Sequence, residues 1–191
     1  MGESPRFDAI ILAGGSARRL GGADKALVSV GSSTLLERVI AALAEAQQKI
    51  CVGPKRTGHA DIIWTQEDPP GGGPVAALAA GLERATAPVI VLVAVDLPFI
   101  TPQVVARLVK ACSTADTALV VDEAGTPQPL LAAYRSAALR RRLQRLPTTN
   151  GISMKHLLEG ISQALLHEPD VAHDCDTWGD VERARAVGGS G

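Results

Sequence analysis

Two runs of the chain, FDAIILA at 7–13 and PVIVLVAVD at 88–96, are apolar at nearly every position. A strand without polar alternation must be covered on both faces. Such strands belong to parallel sheets with helices packed on either side. The stretches between the apolar runs carry the helical period. TLLERVIAALAEAQ places Leu35, Leu36, Val39, Ile40 and Leu43 on one face, with Ser33 as the expected N-cap. GPVAALAAGLERA opens at Gly73-Pro74, and TPQVVARLVKAC is capped by Thr101 with Pro102 in its first turn.

KICVG, DIIWTQ, TALVV, PQPLLAAY and QALLHE read as further strands, with DEAGTP as a hairpin turn between the third and fourth. SAALRRRLQRL, MKHLLEG and a last segment near WGDVERARAV read as helices. This order predicts an α/β fold: a Rossmann-like, doubly wound, mostly parallel sheet with helices on both faces. In such sheets the ligand lies outside the carboxyl ends of the strands.

Composition narrows the function. Apolar residues make up 46% of the chain but aromatics only 3%, so the core must be built from Ala, Val, Leu and Ile. The net charge is −1 and no basic stripe with interleaved aromatics appears, which argues against a nucleic-acid partner. No apolar run reaches the length of a membrane span, and MGESPRFD has no apolar secretory region. The expected location is cytoplasmic, with Cys51, Cys112 and Cys175 as reduced, buried thiols, because their spacing fits no zinc site.

The chemistry concentrates after the first strand, in LAGGSARRLGGADK. Gly14 and Gly15 permit φ > 0 and bring backbone N–H groups close to a ligand. Arg18, Arg19 and Lys25 add positive charge suited to phosphate oxygens, and Ser16 offers a further donor. The sum fits a di- or triphosphate. It is not a Walker A loop, which needs Gly-Lys followed by Ser or Thr, and the glycine spacing is not the dinucleotide fingerprint. Asp96 closes the most apolar strand at the expected ligand edge, where a carboxylate needs a metal or cation partner. In HDCDTWGD, Asp176 is a second metal-ligand candidate or the cap of the last helix, and Asp174 is its near alternative. The Arg140–Arg145 run is read as a solvated helix face, with a contact to an anionic substrate or partner as the sharper option.

LAGGSARRLGGADK resembles the nucleotidyltransferase signature LAGG-x-x-x-R-x-G-x-x-x-K, and within that group the molybdenum cofactor guanylyltransferase family. EDPPGGGPVAALAAGL, VAVDLPFITP and HDCDTWGDVERAR resemble three further family segments in order. The resemblance implies a nucleotidyltransferase fold in one domain, 1–191, with a nucleotide-binding part at about 8–115 and an acceptor-binding part at about 116–187. It implies transfer of GMP from GTP to molybdopterin with release of pyrophosphate. Leu12, Ala13 and Gly14 would line the base and ribose with their backbone, and Gly15 in the same nucleotide-binding loop would mark the subclass. Arg19 and Lys25 would hold the triphosphate, Asp68 or its neighbour Glu67 would stand near the nucleotide, and Gly73 would open the helix beside it. Asp96, with Asp176 or Asp174, would bind Mg²⁺. Contact with a molybdoenzyme or another cofactor-pathway protein is a further expectation. LAGG favours GTP over the LAAG of relatives that use CTP. A cytidylyltransferase, a sugar-1-phosphate nucleotidyltransferase and an inactive nucleotide-binding adaptor are the rival readings. One departure stands out: VGPKR at 52–56 replaces a segment where members often carry Asn, so Gly53 has only backbone to offer.

Overall fold

A computed structural model describes residues 5–14, 24–175 and 177–188, with side chains described as far as Arg185. Strand β1 (Phe7–Leu12) is followed by a 3-10 turn at Lys25–Leu27 and a short hairpin of β2 (Ser29–Val30) and β3 (Ser33–Thr34). Helix α1 (Leu35–Ala42), β4 (Lys49–Val52), β5 (Ile62–Thr65), α2 (Pro74–Leu82), β6 (Val89–Ala94) and α3 (Pro102–Ala111) come next. The remainder is β7 (Thr117–Val121), β8 (Pro127–Arg135), α4 (Ser136–Gln144), α5 (Met154–Leu157), β9 (Gln163–His167) and α6 (Trp178–Gly188).

Seven strands form one sheet in the order β5-β4-β1-β6-β8-β7-β9. From β5 to β6 all neighbours are parallel. β8 runs antiparallel to β6 and to β7, as the DEAGTP turn requires, and β9 is parallel to β7. The sheet is therefore mostly parallel, as the apolar runs predict. From β1 the chain moves outward through β4 and β5, then crosses back to place β6 on the other side of β1. That reversal opens a crevice at the carboxyl ends of β1 and β6. The register aligns Leu12 with Val52 on one side and Ala94 on the other.

Alternate residues of β1 enter opposite cores. Ile11 joins Leu36, Val39 and Leu108 beneath α1 and α3. Ile10 joins Leu78, Tyr134 and Leu157 beneath α2 and α5. A third cluster unites the hairpin with the last helix through Val28, Val30, Leu35, Cys175, Val181 and Ala184. The hairpin, and with it the chain just past Lys25, thus leans on α6. No helix among the described residues is long and apolar enough to cross a membrane.

One buried charge fastens the sheet. Asp8 is fully buried on β1 and accepts the N–H groups of Gln48, Thr86 and Ala87 at 3.1, 2.7 and 2.8 Å. It ties the entrance of β4 and the end of the α2–β6 connection to the central strand. Replacing it with alanine strands three donors, and Asp8→Ala is expected to cost roughly 3 kcal/mol of stability, read as a fall in the denaturant midpoint.

Local details differ from the sequence expectations in physical ways. The N-cap of α1 is Thr34, not Ser33, which lies in β3. Thr34 wins because Glu37 stands three residues on, and the two close a reciprocal capping box. The Arg140–Arg145 run is not simply a solvated face. Arg140 donates to the carbonyls of Leu82 and Ala85 past α2, and Arg142 to those of His156 and Leu157 at the end of α5. Both guanidinium groups serve helix carboxyl ends, where orphan carbonyls and the dipole favour a cation. The three cysteines are free and buried; burial pushes the Cys51 thiol up to about 12 and those of Cys112 and Cys175 up to about 11.

Candidate functional site

The crevice between β1 and β6 is bounded by backbone that continues the sheet beyond its strands. Ala13 N–H donates to the Val52 carbonyl at 2.9 Å, and Val95 N–H to the Leu12 carbonyl at 3.0 Å. This ladder holds Ala13–Gly14 and Val95–Asp96 side by side at the sheet edge.

Asp96 sits just beyond β6. Its Oδ2 accepts from Lys25 Nζ at 2.7 Å, and each side chain is 20% exposed. Residues far apart in the chain are thus brought into one ion pair. Lys25 opens its 3-10 turn because Asp24 caps that turn, accepting the Ala26 N–H at 3.2 Å. On the other flank, the Asp96 carbonyl accepts the Cys175 N–H at 2.9 Å, which brings the 172–175 segment to the same edge.

Two cavities meet at Asp96. The larger, about 760 Å³, is lined by Leu12, Gly14, Lys25, Gly53, Glu67 and Gly73, among others. The second, about 530 Å³, is lined by Gln128, Gly151, Ser153 and Asp174 beyond Asp96. Gly73, Pro74, Ala94, Asp96 and Leu130 belong to both walls. Lys25 therefore lines one cavity and Asp174 its neighbour, and Asp96 is the charged residue of the wall they share.

Of the site residues read from the sequence, Leu12, Gly14, Lys25, Gly73 and Asp96 converge on the larger cavity. Ala13 is buried beside it. Gly15, Ser16, Arg18, Arg19 and Asp176 lie outside the described residues. Asp68 is exposed, while Glu67 is half-buried, lines the cavity and accepts the Gly71 N–H at 3.0 Å. Asp174 shares the smaller cavity with Asp96. The last helix is opened by Thr177, which forms a reciprocal pair with Asp180. Among the described residues no group of three or more His, Cys, Asp or Glu side chains forms a ready metal cage.

Of the glycine doublet, Gly14 alone is among the described residues. Gly14 does not adopt a positive φ, and a Cβ there would meet only ordinary contacts at 3.8 Å. Gly53 has φ 142°, and a Cβ on it would lie 2.8 to 3.0 Å from the Gly14 nitrogen and the Ala13 carbonyl carbon and oxygen. Gly53 thus packs bare against the face of the Ala13–Gly14 peptide. Gly53→Ala is expected to cost about 1–3 kcal/mol of stability and to weaken nucleotide binding, because that peptide must move. A melting curve and a nucleotide titration on the same variant check both halves.

Arg56 is the residue the sequence reading missed. Its guanidinium donates to Asp24 Oδ2 at 2.8 Å and Oδ1 at 2.7 Å, to the Ala13 carbonyl at 3.0 Å and to the Pro54 carbonyl at 3.0 Å. It also lies 5.7 Å from the ring centre of Trp64. Hydrogen bonding to Arg56 holds the Asp24 carboxyl below the usual aspartate range. The carboxylate's contribution is therefore present above the ordinary aspartate pKa and is lost only as pH falls through the lowered value.

Comparison with known proteins agrees with this geometry. The family model described as MobA-like NTP transferase domain matches residues 9–167. The molybdenum cofactor guanylyltransferase of Bradyrhizobium sp. (strain ORS 278) is 36% identical over 126 residues, which span 61% of this chain and 59% of that protein. The chain thus aligns with less than two thirds of that relative's length. The molybdenum cofactor guanylyltransferase of Haemophilus influenzae (strain 86-028NP) is 30% identical over 80% of this chain and 88% of its own. The crystal structure of molybdopterin-guanine dinucleotide biosynthesis protein A from Archaeoglobus fulgidus superposes with a TM-score of 0.76, at 24% identity, over 96% of this chain and 100% of that one, a likeness of fold. With its reversed strand order, its glycine-walled crevice and a family match that covers most of its length, the chain belongs to the MobA-like NTP transferase domain family.

Proposed function

We propose that this chain is a magnesium-dependent nucleotidyltransferase that moves GMP from GTP to the phosphate of molybdopterin and releases pyrophosphate. The observation that carries the reading is the shared wall: a cavity with glycine backbone and Lys25 adjoins a second cavity across Asp96. A transfer between two bound phosphates needs that arrangement, donor on one side and acceptor on the other. The names of the sequence relatives support the choice of guanylyl donor and cofactor acceptor. In this reading one domain serves both substrates, with residues 8–115 holding the nucleotide and 116–187 the acceptor.

An acceptor phosphate oxygen forms a bond to the α-phosphorus of GTP. The bond from that phosphorus to the bridging oxygen breaks, and pyrophosphate leaves with the electron pair. The protein's contribution is alignment and charge neutralisation. Leu12, Ala13 and Gly14 offer backbone to the base and ribose. Lys25 offsets the charge that grows on the leaving pyrophosphate, with Arg19 sharing that task as the resemblance implies, Gly15 marking the choice of base and Ser16 a further donor to phosphate. Gly73 opens α2 with φ 90° and a bare backbone at the cavity wall.

The metal fits the donors present. Asp96 and Asp174 face one cavity with no Cys or His among its described lining residues. Two carboxylates completed by phosphate oxygens and water suit Mg²⁺. Asp96 and Asp174 would hold the ion, with Asp176 as the other acid of that segment; when bound, it supplies positive charge to the reacting phosphates.

Calorimetric titration with GTP, CTP, ATP and UTP in Mg²⁺ tests the donor, and pyrophosphate release with molybdopterin tests the acceptor. GTP is expected to bind at least about tenfold tighter than CTP. A preference for CTP overturns the choice of base, and the absence of any triphosphate binding overturns the reading.

A further inference from the structure

The geometry points to Arg56 as a positioning residue that fixes the spacing of Gly14 and Lys25, two walls of the larger cavity. This rests on the reading of that cavity as the triphosphate site. Arg56 lines neither cavity. Its side chain is only 8% exposed and its donors are spent on protein groups at both flanks of the site. One arm holds the Ala13 carbonyl, whose peptide continues into Gly14. That same nitrogen, Nη2, and Nε fork onto both oxygens of Asp24. Asp24 in turn caps the turn that begins at Lys25, and Lys25 reaches Asp96. A single guanidinium therefore links the backbone wall to the cationic wall. A planar fork meets a carboxylate with two parallel bonds and still has an N–H to spare for a carbonyl, whereas a lysine presents one compact charge. The Trp64 ring beside it and the Pro54 carbonyl fix the fork's own orientation.

The distinction from plain structural support lies in which ligand suffers. Loss of spacing between Gly14 and Lys25 penalises a ligand that must touch both, such as GTP. It leaves GMP, which lacks the β and γ phosphates, nearly unaffected. A misplacement of about 1 Å at a positioned group is enough to cost on the order of 10²-fold. Arg56→Ala is expected to lower GTP affinity by roughly 30- to 100-fold in calorimetric titration with Mg²⁺, and GMP affinity by less than about threefold. Arg56→Lys is expected to recover only a small part of the loss. Asp24→Asn, at a carboxylate whose side chain is 38% exposed, is expected to weaken GTP by about tenfold. The double variant is expected to be no worse than Arg56→Ala, because both substitutions cut one linkage.

Unchanged GTP affinity in Arg56→Ala, equal losses for GTP and GMP, or additive losses in the double variant each overturn the proposal. If Arg56→Ala does not fold, as judged by its melting curve, Asp24→Asn decides alone: wild-type GTP affinity there overturns it. A wild-type protein that binds no triphosphate overturns the site reading and this proposal together. A wild type that binds GTP, with variants that bind it equally well, overturns this proposal alone.

Discussion

Asp96→Asn is expected to abolish turnover, by about 10³-fold or more in pyrophosphate release, with a melting temperature within a few degrees of the wild type. The substitution keeps the size and shape of the side chain and removes only its charge. Asp96 faces the junction of two cavities and lies beyond the last residue of β6, so the strand and its core contacts are untouched. The ion pair with Lys25 is lost, but such pairs contribute only about 1 kcal/mol when partly exposed. Function depends on the charge far more than stability does. A carboxylate at this junction has two tasks in the proposed reaction: it would hold the metal, which would supply positive charge to the reacting phosphates, and it orients Lys25. An amide does neither well. Steady-state pyrophosphate release and a thermal melt on one preparation separate the two effects. Wild-type turnover in a folded Asp96→Asn protein removes the metal assignment.

Lys25→Ala is expected to lower turnover by about 10²- to 10³-fold and to weaken GTP more than GMP. Lys25 is held from two directions, by the Asp24-capped turn at its backbone and by Asp96 at its ammonium. A pre-placed cation costs no reorganisation when charge develops on the leaving group, and that is why its removal is expected to appear in the rate as well as in binding. The measurement is the split between the KM for GTP and kcat. A change confined to KM makes Lys25 a ground-state anchor only. In the double variant with Asp96→Asn the two losses are expected not to add, since the residues touch.

Much of this arrangement is legible in the sequence. The unbroken apolar runs at 7–13 and 88–96 demand a two-sided cover, and β1 and β6 are central parallel strands for that reason. Asp96 was readable because an acid directly after such a run must emerge at the ligand edge. The signature around Gly14 and Lys25 was readable because few loops join paired glycines to several cations. The cap of α1 was legible too, in the Thr34-x-x-Glu37 spacing, although adjacent Ser33 obscured it. Other features had no local signal. Two partners of Arg56, Ala13 and Asp24, are distant in sequence, and Ala13 comes near through the pairing of β1 with β4. The need for glycine at position 53 has no local signal either, because it comes from the Ala13–Gly14 peptide packed against it across the β1–β4 pairing. Arg140 and Arg142 look like an ordinary charged run until α4 is laid across the ends of α2 and α5.

A crystal structure of the protein with a non-hydrolysable GTP analogue and Mg²⁺ tests the central claim most directly. The account predicts the triphosphate in the cavity walled by Gly14, Gly53 and Gly73, with its oxygens within hydrogen-bond reach of Lys25 and the metal ion on Asp96. Nucleotide density outside that cavity, with neither Lys25 nor Asp96 in contact, contradicts it.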